Sequence, residues 1–253
     1  TRLALRGDVV VVTSNHRLNV YGHCYLGDRM GEAYAASGNA GYLDLIAAMR
    51  WVRENIAAFG GDPANVTIFG QSGGGRKVSL CYAGADAQGL FARGIVQSGS
   101  HLQVQTPEQA TRLTDALLAQ LEIAPADIGK LLEVPVETLT RAQLRVMRET
   151  RSRFSPVLDG LAFAAHPFLP EAPARSNALP MMVGTTRTEL SNQLGYEEGA
   201  FDLDMAELRR RLARFVPAED VEATLATFQA SIPGASPSEL YFTIASARGY
   251  VLD

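Results

Sequence analysis

Residues 66–74 read Val-Thr-Ile-Phe-Gly-Gln-Ser-Gly-Gly, a β-branched run that enters a Gly-x-Ser-x-Gly and is followed by an apolar, helix-like stretch. No other segment restricts the fold so tightly. A serine at a strand-to-helix corner sits where side chains collide, so it needs glycine on both sides, here Gly70 and Gly74. The strained corner lifts the Ser72 hydroxyl off the top of a sheet. The helix beginning beside it aims N–H groups at the same point, where an oxyanion would develop. The motif alone is common in Gly/Ser loops. Between a strand and a helix it points to a serine hydrolase, with Ser72 as nucleophile and the N–H of Gly73 as an oxyanion donor.

The rest of the pattern predicts an α/β fold. Residues 8–14 read as a short buried strand. In 41–58 the apolar positions Leu45, Ile46, Met49, Val52 and Ile56 recur at helical spacing, and Gly60 stops the helix. Strands at 66–70, 94–97 and 181–183, with a helix over 73–83, imply mainly parallel pairing and right-handed crossovers. Sites in such sheets lie at the carboxyl ends of strands. Ser72, Ser98 and Glu189 each fall just past such an end. A helical insertion spans about 106–150, broken at Pro125 and Pro135, and packing helices follow between 204 and 247. Nothing splits the chain, so 1–253 reads as a single domain.

Composition narrows the partners. A 47% hydrophobic content supports one large core, while a net charge of −4 predicts neither nucleic acid nor an anionic membrane. No apolar run approaches the ~20 residues of a membrane span. Cys24 and Cys81 are too few for a disulfide scaffold, and Cys81, in the apolar helix, reads as a buried free thiol. This favours the cytoplasm over secretion. Only Lys77 and Lys130 are lysines, a feature read as compositional habit.

Phe59-Gly60-Gly61 followed by the elbow resembles the active-site signature of the type-B carboxylesterases, the para-nitrobenzyl esterase and cholinesterase-like group. Further similar pieces occur in order: Asn15-His16-Arg17-Leu18, Ser37-Gly38-Asn39-Ala40-Gly41 with Leu43-Asp44, Gln97-Ser98-Gly99-Ser100 and Pro156-Val157-Leu158-Asp159-Gly160. The resemblance implies an α/β-hydrolase fold, incomplete at both ends. It implies hydrolysis of a small-molecule ester through an acyl-serine, with no metal or organic cofactor. The insertion would carry one wall of the substrate gorge. The inactive alternatives are a cholinesterase-like adhesion module and an esterase fragment. With one tryptophan, Trp51, on a helix read as core, choline esters are not expected; small to medium acyl esters of hydrophobic alcohols are.

Val183-Gly184-Thr185-Thr186-Arg187-Thr188-Glu189 resembles the family's acid motif and assigns Glu189 as triad acid, although Thr188 and Leu190 replace its usual acidic residue and glycine. A solvated helix-start glutamate is the alternative. Asp159 is the runner-up acid, and Ser98 resembles a serine that bonds near the acid. Of the four histidines, His16 reads as packed or capping, His23 as a loop residue, His166 as a surface turn and His101 as a pocket-wall candidate. None holds the family's late triad position, so the base is expected past Asp253, and an oxyanion loop is expected before Asp8. Residues 1–253 alone are therefore not expected to be a competent esterase.

Overall fold

The computed structural model describes residues 2–251 and divides into two compact units. Unit one runs to Ile95 and resumes over Ser100–Met182; unit two is Val96–Gly99 with the residues from Val183 on. Unit one holds helices α1 (Arg2–Gly7), α2 (Asn19–His23), α3 (Gly27–Met30) and α4 (Ala40–Asn55), then strand β1 (Thr67–Gln71) and helix α5 (Gly73–Ala83). Strand β2 (Arg93–Gln97), helices α6 (Pro107–Gln120) and α7 (Val136–Thr150), and strand β3 (Met181–Gly184) follow. Unit two carries α8 (Ser191–Leu194), α9 (Met205–Leu212), α10 (Val221–Ser231) and α11 (Pro237–Ser246).

The strands pair in the order β1-β2-β3. Gly94 N–H donates to Pro180 O at 3.2 Å and Ser98 N–H to Gly184 O at 2.8 Å, so the register advances in the same direction along β2 and β3. That is parallel pairing. The expected strand at 8–14 does not form. Extended backbone needs a ladder partner, and none pairs with it among the described residues; Val9, Val10 and Val12 stay exposed.

Local chemistry explains the helix limits. Gly60 adopts φ 82° and closes the turn after α4, where a side chain would be strained. Thr106 with Gln109 and Ser236 with Glu239 form capping boxes that start α6 and α11, each with proline in the first turn. The insertion packs Leu113, Leu117, Leu139 and Val146 against Val20, Cys24 and Leu26. Gln143 accepts from Val20 N–H, and Tyr21 O–H donates to Val136 O. Unit two has a separate core around Leu208, Leu212, Leu225, Leu240 and Tyr241. Trp51 is not a core residue: it is 47% exposed and lies against Phe59 with ring centroids 5.9 Å apart. Both cysteines are buried free thiols, and burial pushes Cys24 up to about 11 and Cys81 to about 12.

Sequence fragments far apart meet as hydrogen-bonded pairs. Arg17 bonds Asp44 with its backbone N–H at 2.8 Å and with Nε at 2.9 Å, and the guanidinium holds the Asp44 carboxyl below its usual range. Asn39, fully buried, donates to Val157 O and accepts from Val157 N–H. A buried polar side chain needs both of its ends satisfied, and this one is.

Candidate active site

β1 delivers the chain into the elbow, and Ser72 takes φ 54°, ψ −117°, a conformation side chains disfavour. The turn closes because Gly70 passes hard against Gly74; a Cβ on Gly70 would lie 2.4 Å from Gly74 carbonyl carbon. Gly70→Ala is therefore expected to lose activity and to cost about 3 kcal/mol or more, read as a drop in Tm together with loss of ester turnover. Wild-type stability in this variant would show that the close approach does not matter.

Ser72 is the N-cap of α5, yet its hydroxyl does not cap the helix. Its carbonyl accepts from Arg76 N–H at 3.0 Å, while Oγ is exposed and without a hydrogen-bond partner among the described residues. Gly73 opens α5, so its N–H is one of the donors no helical carbonyl claims. A free hydroxyl thus stands beside the positive end of a helix. On the same helix, Lys77 Nζ donates to Gly73 O at 3.3 Å. In the sequence this lysine reads only as composition; its signal is the charge pair Arg76-Lys77 between Gly75 and the buried Val78.

Three histidines of unit one are held neutral. His23 ends α2 and is buried, not a loop residue, with Nδ1 3.0 Å from Gly38 O. Burial lowers it to about 4. His101 N–H bonds Ser79 Oγ, while its Nδ1 is buried without a partner; burial, with repulsion from Arg76 and Lys77, lowers the ring to about 4. His16 is lowered by burial and by Lys77. His166 lies in a turn and accepts from Val104 N–H through Nδ1. None of the four bonds Ser72.

A histidine with a depressed native pKa stabilises the fold while neutral. That contribution is complete above the unfolded value of 6.5 and is lost as pH falls through 6.5 towards 4. Stability is expected to fall steeply across this window, by roughly 3 kcal/mol from His23 alone. Denaturant melts between pH 7 and 4 check it; the His23→Gln variant should show a shallower slope, and an unchanged slope would contradict the assignment.

In unit two, Thr186 N–H donates to Glu189 Oε1 at 2.5 Å, and the Ser98 and Thr186 hydroxyls also bond this carboxylate. Burial alone would raise its pKa, but these donors outweigh burial and hold it low, hence ionised. Ser98 follows β2 with φ 52°, a second strained serine whose backbone turn presents its hydroxyl to Glu189. Leu190 N–H is fixed by Ser246 Oγ at 2.9 Å, which anchors the loop that carries Glu189. Asp159 is occupied differently: its Oδ1 accepts from the N–H groups of Leu161, Ala162 and Phe163 and holds a tight turn.

A nucleophile elbow on a parallel sheet defines the α/β-hydrolase class. The family profile described as Carboxylesterase family matches residues 1–230, and this chain belongs to that family. It is 41% identical over 194 residues to the para-nitrobenzyl esterase of Bacillus subtilis (strain 168), covering 75% of this chain and 39% of that protein. Acylcarnitine hydrolase of Mus musculus is 34% identical over 187 residues, 74% of this chain and 32% of that one. Among solved structures, a Geobacillus stearothermophilus carboxylesterase superposes with a TM-score of 0.82 at 38% identity, covering 100% of this chain and 52% of that chain. The chain spans about a third to a half of the length of these relatives.

Proposed function

We propose that the protein is a carboxylic-ester hydrolase working through an acyl-serine intermediate. The observation that carries this reading is Ser72: a serine held at strained dihedrals, its hydroxyl unengaged, at the start of α5. Ser72 Oγ attacks the ester carbonyl carbon and gives its proton to a histidine base. Gly73 N–H stabilises the oxyanion, and the alcohol leaves with the proton the base returns. Water then repeats the sequence to free the acid. Glu189, kept ionised by Ser98 and Thr186, orients the base and balances its charge. None of His16, His23, His101 and His166 is assigned that role.

Small to medium acyl esters of hydrophobic alcohols are the substrate class, and residues 1–253 are read as part of one α/β-hydrolase domain, in keeping with the family match over residues 1–230. Among the described residues no helix is long and apolar enough to cross a membrane. A non-catalytic adhesion module of the same fold would need neither a serine nor backbone strain at position 72. Assay of the full-length protein with para-nitrophenyl butyrate separates the two. Saturable turnover supports the hydrolase, and none supports the binding module.

A further inference from the structure

Lys77 is the unusual charge of this site. It lies five residues after the nucleophile on α5, half-buried, and its Nζ reaches back to Gly73 O. No carboxylate pairs with it or with Arg76 among the described residues; the nearby Asp44 is engaged by Arg17. The other titratable groups around it are His16, His23 and His101, and their neutral forms add no countercharge. A part-desolvated ammonium with only one carbonyl acceptor is costly unless it serves an anion or a dipole.

Its carbonyl partner belongs to Gly73, whose N–H points at the reacting centre in the proposed mechanism. Gly73 has no Cβ to restrict its backbone, and a Cβ there would meet only Lys77 Nζ, at 3.8 Å. Resting on the hydrolase reading, we propose that Lys77 is a positioning residue for the oxyanion donor. Through Gly73 O it fixes the Gly73–Gly74 peptide and so restrains the backbone of the residue whose N–H is the donor, and its uncompensated charge adds to the field of the helix start where the oxyanion forms. The charge acts on the transition state more than on the neutral ester, so it is expressed in kcat.

The test is kinetic, on the full-length protein, with Lys77→Met and Lys77→Arg compared for para-nitrophenyl butyrate hydrolysis and for the rate of Ser72 phosphonylation. Lys77→Met should lower kcat and the phosphonylation rate on the order of tenfold, with KM changed less than about twofold. Lys77→Arg, which keeps charge and donor, should recover most of both. Unchanged kcat in Lys77→Met overturns the proposal, as does a loss that Lys77→Arg does not rescue. If Lys77→Met fails to fold, Lys77→Gln is read against the same criteria. A wild-type protein that neither turns over ester nor reacts with the phosphonate removes the hydrolase reading itself, and the inference with it. A reactive wild type whose rates ignore residue 77 removes the inference alone.

Discussion

Replacing Ser72 with alanine should abolish ester turnover in the full-length protein, a loss on the order of 10⁶ in kcat, because the nucleophile cannot be replaced by any neighbouring group. The fold should survive. Ser72 Oγ makes no hydrogen bond to the rest of the chain, and alanine tolerates φ 54° no worse than serine does. The measurement is initial-rate hydrolysis of para-nitrophenyl butyrate beside a thermal melt. A Tm within about 2 °C of wild type with turnover lowered on the order of 10⁶-fold is the expected pair. Residual turnover within a hundredfold or so of wild type would mean that another group carries the chemistry.

Glu189→Gln carries the second largest effect. The isosteric amide can still accept from Thr186 N–H, so the acid loop should keep its shape. It cannot hold the negative charge that Ser98 and Thr186 now stabilise, nor balance a protonated histidine. Its NH₂ group would also favour the wrong histidine tautomer. The expected loss in kcat is about 10⁴, the scale set by the same change in a serine-protease triad. Asp159→Asn is the contrast. Its Oδ1 serves three backbone N–H groups, which an amide oxygen can still accept, so turnover should remain close to wild type. A nearly normal Glu189→Gln protein beside a dead Asp159→Asn protein would move the acid to Asp159.

Much of this was legible in residue order, for identifiable reasons. The elbow is encoded locally: Gly70 must be glycine for the turn to close, and the helix after it starts at Gly73 as the motif requires, whereas a Cβ on Gly74 would meet nothing within 4 Å. α4, α6 and α7 follow from helical spacing and from breaks at Gly60, Pro125 and Pro135. What failed were features fixed by tertiary partners. The apolar run at 8–14 has strand chemistry, yet a strand exists only through pairing, and here it pairs with nothing among the described residues while Val9, Val10 and Val12 stay exposed. Trp51 sits on a helix read as core, yet it lies outside the spaced apolar positions and belongs to the exposed face of α4. His23 looked like a loop residue because a five-residue helix leaves no periodic signal. Lys77 reads as composition, since nothing in a linear sequence shows that its side chain folds back onto Gly73 O beside Ser72.

Covalent capture decides whether Ser72 is an activated nucleophile. Full-length protein is incubated with an organophosphonate ester, digested, and the modified peptide sequenced by tandem mass spectrometry. A single phosphonyl adduct is expected on the peptide containing Gly70-Gln71-Ser72-Gly73-Gly74, placed on Ser72 and formed in step with loss of esterase activity. An adduct on any other serine, or full inactivation with Ser72 unmodified, would contradict it.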